Sequence, residues 1–383
     1  MVRRYIFCLI LSLLSLPLMA SDSTSICRYG ISILGELVIN TSVYTFDRIK
    51  GTGEPHPFTE GWKHLKPSEW KWDTSLFDTN FNGHPFHGGL YHAVSRFGGL
   101  SFYEAVPMNA IGSGMWELGA EHEAPSINDL FVTTFAGAAF GEVIYKTANA
   151  IIHHNYDDMS VSFSTDAEFQ RSYVIQTIGM DLELGNVLDD GTKPYSYFKT
   201  HVKAARLKDI YLKEMHIYGR LLSKSIDDHV NIGLWQHFHL YNLLPTRLYD
   251  DYKIAEAASL GVGVVSVNDP ISLSFHASAI GMGAVDNLEN KHRKYDYVYG
   301  FSLKQHAKCK IFSFLDFNAD IQSYHTWAWE APYDRQINLV VSPSIELRLS
   351  PHVALEGFYN GFMRYGRNED IHEYGIRFNY KLK

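Results

Sequence analysis

Two histidines and two glutamates in the first third of the chain have the spacing of working groups. His84 and His87 lie three residues apart, and Glu117 and Glu121 four apart, so on a helix the two carboxylates share a face. Imidazoles with carboxylates can hold a divalent metal ion and activate a bound water. His87, Glu117 and Glu121 would be its ligands. The same four groups can instead act as general acid and base in the hydrolysis of a lipid or a glycan. No His-Glu-x-x-His spacing supports the metal, so a chain without a cofactor is the base expectation. Each residue also has a structural reading. His84-Pro85 suits a turn that starts a helix, with the ring bonding backbone. Asp129 stands three residues after Ser126 and fits a capping box. Arg96 suits an ion pair with Glu117 or Glu121, because a buried charge needs a counter-charge. Glu142 completes this polar set, and Trp116 reads as a packing anchor.

Other centres find less support. His237 and His239 share a strand face, but no Gly-x-Ser-x-Gly elbow accompanies them, and no Gly-rich phosphate loop is present.

The polar set sits in a Gly- and Ala-rich region of helical period. Helices are predicted over 31–49, 86–97, 101–121 and 127–153, with an irregular Pro-, Trp- and Lys-rich connection at 54–72. Gly137 and Gly141 fall one turn apart, as do Thr133 and Gly137, which lets a neighbouring backbone come close. After Asp157-Asp158 the period changes to two. Twelve strands are predicted, at 159–168, 172–186, 195–206, 209–222, 229–242, 252–267, 270–281, 295–306, 310–323, 335–349, 352–363 and 371–382. The last is the clearest: Tyr374, Ile376, Phe378, Tyr380 and Leu382 alternate with Glu373, Gly375, Arg377, Asn379 and Lys381. A tilted strand of roughly ten residues crosses a bilayer. Tight turns at 268–269, 307–309 and 350–351 alternate with longer charged loops, the rhythm of periplasmic turns and external loops in outer-membrane barrels. The rhythm breaks at 187–194, which leaves ten strands open as an alternative.

The segment from Trp70 to Glu142 carries a resemblance. It reads Trp70-Lys71-Trp72-Asp73, Phe77-Asp78-Thr79-Asn80 and His84-Pro85-Phe86-His87-Gly88. It continues through Tyr91, Arg96, Trp116-Glu117, Glu121, Pro125-Ser126-Ile127-Asn128-Asp129 and Gly141-Glu142. This is similar to a family of bacterial envelope proteins known only as a domain of unknown function. The resemblance implies an exported Gram-negative protein whose helical region precedes a barrel. It implies no activity, substrate or cofactor.

Arg3 and Arg4 followed by an apolar run to Leu18 read as an export signal, cleaved after Ala20. Loss of the two arginines takes the net charge from −8 to −10, which excludes a nucleic-acid binder with a basic face. Export would permit a disulfide between Cys27 and Cys309, the latter in the 307–309 turn.

The expected architecture is thus a signal peptide (1–20), a helical domain (21–157) and a transmembrane antiparallel barrel of about twelve strands (158–383). A soluble periplasmic barrel or sandwich is the alternative, although strands of twelve residues are long for one. The expected place is the outer membrane, with the helical domain facing the periplasm and membrane lipid, lipopolysaccharide or phospholipid, as partner. Three functions follow. One is a structural or envelope-maintenance protein with helices docked at the periplasmic mouth. The second is a pore lined by Asp316, Asn318, Asp320, Glu346 and Arg348, and the third a hydrolase using the His/Glu set.

Overall fold

The computed structural model describes residues 25–50, 64–120, 124–154, 159–170, 173–184, 197–206, 210–227, 229–243, 252–287, 294–331, 335–365 and 370–382. Glu121 and the expected signal peptide lie outside the described residues. The chain divides into two compact units, Met1–Ile152 and His153–Lys383.

The first unit is helical, with α1 (Ser25–Lys50), α2 (His84–Phe97), α3 (Phe102–Gly119) and α4 (Ile127–Ile152), and a π turn at Thr79–Gly83 leading into α2. Pro85 near the start of α2 costs no hydrogen bond there. Ser101 starts α3 with both arms of a capping box, its side chain receiving from the Glu104 N–H and Glu104 receiving from the Ser101 N–H. Helices α2 and α4 cross where both are bare. A Cβ at Gly88 would stand 1.9 Å from the Thr133 carbonyl oxygen, and one at Gly137 would stand 2.6 Å from the Gly88 backbone. A side chain at either crossing point would push the helices apart.

The second unit is a closed antiparallel barrel of twelve strands. They are β1 (Met159–Gln170), β2 (Tyr173–Leu184), β3 (Tyr197–Arg206), β4 (Ile210–Ser225), β5 (Val230–Leu243), β6 (Tyr252–Asn268), β7 (Ile271–Asp286), β8 (Tyr295–Phe312), β9 (Leu315–Ala328), β10 (Arg335–Arg348), β11 (Val353–Tyr365) and β12 (Ile371–Lys381). Each pairs with its sequence neighbours, and β12 pairs with β1 to close the ring. Exposure alternates along the strands. Phe163, Thr165, Ala167 and Phe169 face out, while Ser164, Asp166 and Glu168 are buried inside. On β12, Tyr374, Ile376, Phe378 and Tyr380 stay exposed on the outer wall, as the alternation predicts. An apolar exterior around a polar interior is the signature of a barrel that meets lipid.

One expectation is corrected. The turn placed at 307–309 is at 313–314, because Lys304, His306, Lys308 and Lys310 continue the alternation as strand β8 with no Gly or Pro to mark the true turn. Cys309 therefore sits inside a strand, opposite Phe317. Strands β4 and β6 read noisily because bulges shift their register, near Lys203/Ala204 and Arg220/Leu222 for β4 and near Glu256/Ala258 for β6.

The two faces of β7 give a direct test. Phe275 lies exposed on the outer wall and Ser274 on the luminal side opposite His306. Phe275→Arg should lower folding stability by about 2–4 kcal/mol, while Ser274→Arg should fold nearly as wild type. Urea titration in lipid vesicles measures both, and equal losses would reverse the assignment of faces.

Candidate functional site

The helical polar set comes together in pairs rather than as one centre. His84 Nε2 lies 3.4 Å from Asp129 Oδ1, and its Nδ1 lies 3.4 Å from Thr133 Oγ1. Both ring nitrogens thus face protein groups, so a histidine–carboxylate dyad is present with no free nitrogen to activate a substrate. Tyr91 donates to the Asn40 side-chain oxygen, and its phenol oxygen lies 2.9 Å from His87 Nε2. Trp116 meets the His87 ring edge-on at 5.3 Å, a packing contact.

Glu117 has a different role from the expected one. Its carboxylate accepts the Ser126 N–H at 2.8 Å, while Ser126 Oγ accepts the Asp129 N–H at 3.2 Å. The cap of α4 is therefore split: Ser126 accepts from Asp129, and a glutamate on α3 takes the Ser126 N–H. Asp129 supplies one arm only, and its carboxylate accepts from Asn128 at 2.7 Å instead. Arg96 pairs with Glu142, not with Glu117. Its Nε donates at 2.8 Å and Nη2 at 3.3 Å, its Nη1 reaches the Leu100 carbonyl at 2.6 Å, and the guanidinium lies 4.2 Å from the centre of the Tyr145 ring. His92 Nε2 adds a third contact to Glu142 at 3.2 Å. No metal-ligand group of three forms around His87 or Glu117 among the described residues.

Burial sets the proton affinities of this unit. It would raise Glu142, but Arg96, His92 and Lys146 hold the carboxyl well below its usual range. Asp129 is raised by burial against the pull of His84. Glu36, enclosed with Ser32 and Ser95, is pushed up to about 8 by burial, against the opposing hydrogen bonds of those two hydroxyls. Burial, with help from His84, pushes His87 down to about 3.

Sequence reasoning placed luminal charges at Asp316, Asp320, Glu346 and Arg348 but did not name the larger ion networks of the lumen. Lys213 on β4 bonds Glu168 on β1 and reaches Glu373 on β12 at 2.8 Å. Lys203 on β3 bonds Glu168 and reaches Asp166 at 2.8 Å. Arg377 clasps Asp166 at 3.0 and 3.2 Å and reaches Glu356 at 3.1 Å. Glu168, Glu214 and Glu373 could converge on an ion, with ligand atoms within 4.8 Å. The Lys213 ammonium already lies against two of them, so the chain supplies its own cation there. A second luminal network joins Lys304 to Glu256 at 2.6 Å, to Ser302 at 3.0 Å and to His237 Nδ1 at 3.1 Å, while Ser278 Oγ lies 2.9 Å from the same nitrogen. With His237 Nδ1 shared and Glu256 held by the lysine, these groups do not form a Ser–His–carboxylate relay. Signals existed, namely charges at the inward positions of β1, β3, β4 and β12. Their partners lie up to 211 residues apart.

An aromatic and aliphatic layer lies beside these networks inside the barrel. Tyr241, Leu243, Tyr252, Ile254, Ile280, Tyr324, Val340 and Phe362 pack as one cluster, each at most 3% exposed. The expected pore-lining residues occupy the other end, near the 313–314 and 349–352 turns. There Asp316 pairs with Arg348 at 2.6 Å and Lys308 at 3.1 Å, and half-exposed Asp320 lies 2.9 Å from His306.

Fold and lumen together define a closed antiparallel barrel of twelve strands with a lipid-compatible wall. Solved structures similar to it are outer-membrane barrels. OmpT of Vibrio cholerae is 8% identical with a TM-score of 0.32, covering 59% of this chain and 98% of its own. The NanC porin is 10% identical with a TM-score of 0.37, covering 58% and 100%. The KdgM porin in complex with disordered oligogalacturonate is 7% identical with a TM-score of 0.32, covering 58% and 99%. In sequence, residues 69–168 match the family described as domain of unknown function (DUF3943), a stretch that runs from before α2 into β1. No curated protein matches the chain.

Two predictions concern the helical unit. Glu142→Ala should leave the Arg96 charge without its carboxylate and destabilise the helices by about 3–5 kcal/mol, read from thermal melts of the helical circular-dichroism band. Glu36 has a pH signature. Folding raises its affinity, so the folded unit keeps a proton that the unfolded chain releases above about 4.5, and stability falls as pH rises toward about 8. His87 acts oppositely below about 6.5, where only the unfolded chain takes a proton. The two offset each other up to about 6.5, and from there to about 8 the Glu36 contribution is unopposed by His87. Stability should drop by up to about 1.4 kcal/mol per pH unit in that window. Glu36→Gln should flatten the slope, and an unchanged slope would assign it elsewhere.

Proposed function

We propose that this protein is an outer-membrane barrel that does not conduct solutes and serves a structural or envelope-maintenance role. The observation that carries this reading is the buried aromatic and aliphatic cluster, contributed from six strands of the barrel interior. A side-chain-filled interior excludes water and solutes as a packed core does. The ion networks beside it add fixed charges that pair with one another rather than with a passing solute. Both ends of the barrel segment, at β1 and β12, lie on the rim with the short turns, which in this reading faces the periplasm. The helical unit that precedes β1 then belongs to the periplasmic side. Lipid, including phospholipid and lipopolysaccharide, is the partner of the exposed outer wall.

The half-exposed charges near the 313–314 turn favour a second reading, a gated pore whose vestibule is open at one end. Planar-bilayer recording separates the two. The wild-type protein should give no steady conductance, and the Tyr324→Ala/Phe362→Ala double variant should open one. Steady ion flow through the wild type would replace the first reading with the second.

A further inference from the structure

Helix α1 is inverted for a helix in water. Its buried positions include Ser32, Glu36 and Asn40, with Ile39 the large apolar residue among them. The opposite side carries Ile26 at 85% exposure and Leu34 at 63%, with Ile33, Leu37 and Val38 also exposed. These positions fall on one stripe by helical spacing. The hydroxyls of Thr41, Ser42 and Thr45 each donate at 2.7 Å to the carbonyl four residues earlier. A hydroxyl satisfied by its own helix has no need of water. From Tyr29 to Phe46 the charged residue is Glu36, which is turned inward.

The same polarity recurs in the neighbouring helices. Helix α4 buries Asp129, Glu142, Lys146 and Asn149 together with Ala and Gly, and it exposes Phe131, Phe135, Ile151 and Ile152. Helix α3 buries Asn109, Ser113 and Glu117 and exposes Tyr103 and Ile111. Polar side chains held inside by hydrogen bonds, small residues at the helix crossings and aliphatic side chains outside are the pattern of helices in lipid.

We infer that the outer face of the helical unit, centred on the α1 stripe, rests in membrane hydrocarbon. Lipid fits better than a second protein copy because the stripe offers no unsatisfied polar group or charge to specify a partner. This inference stands whether or not the barrel conducts.

The test uses the chain from Ser21 onward, which lacks Cys8, in phosphatidylcholine vesicles, with Cys27→Ser and Cys309→Ser as background. A fluorescent label at Leu34→Cys should be quenched several-fold more by lipids carrying a nitroxide on the acyl chain than by aqueous iodide. A label at Glu69→Cys, exposed near the start of the family-matched segment, should show the reverse. Iodide quenching of Leu34→Cys equal to that of Glu69→Cys would overturn the inference. Shielding from both quenchers would also overturn it, in favour of a protein partner. Labelling native Cys27, exposed on the same helix, in a Cys309→Ser chain repeats the measurement without touching the stripe.

Discussion

Backbone pairing between the first and last strands is the constraint on which the barrel depends. A strand edge in hydrocarbon would leave N–H and C=O groups unpaired, at several kcal/mol each, so the sheet must close. The seam joins Phe163 to Tyr380 and Ala167 to Ile376, and this register decides which side chains point inward. Asp166 faces Arg377 across it. A slip of β12 by one residue would turn Arg377 into lipid, leave Asp166 without it in the lumen, and turn the aromatic row of β12 inward. Register and ion pairing therefore enforce one another.

Inside, the lumen divides between ion-paired and apolar regions. Burying charges costs more than their attraction returns unless the geometry is good and the remaining lone pairs are met. Lys203, Lys213 and Arg377 each touch at least two carboxylates, which spreads the desolvation cost over a network. The aromatic and aliphatic cluster needs no such compensation and fills the volume by packing. Arg364 reaches Asp286 and lies 5.0 Å from the Tyr252 ring centre, tying the two kinds of filling together.

Strand alternation made the barrel legible, because a wall with lipid outside and polar groups inside repeats every two residues. It failed where geometry left that period. The bulges of β4 and β6 blurred it, and the Ser313-Phe314 turn carried neither Gly nor Pro. The helical elements were legible for the same reason of period, yet their contacts were not. Arg96 finds Glu142, 46 residues away on α4, rather than a carboxylate on α3, because the bare Gly88–Gly137 crossing brings α2 against α4. Glu117 looked like a catalytic or ligand carboxylate but accepts a backbone N–H at the cap of α4. The luminal lysines stood at inward positions, but nothing local named their partners, since each charge alone resembles a solvated one until the ring closes.

Lys213 has a further consequence, in the order of assembly. It binds Glu168, 45 residues before it, and Glu373, 160 residues after it. Until β12 docks, the ammonium lacks the Glu373 carboxylate, and Asp166 lacks Arg377. The open sheet carries mismatched charge at the place where its edge is exposed. Arrival of the final strand removes both defects in one step, which makes ring closure cooperative and gives a half-built sheet no comfortable resting state.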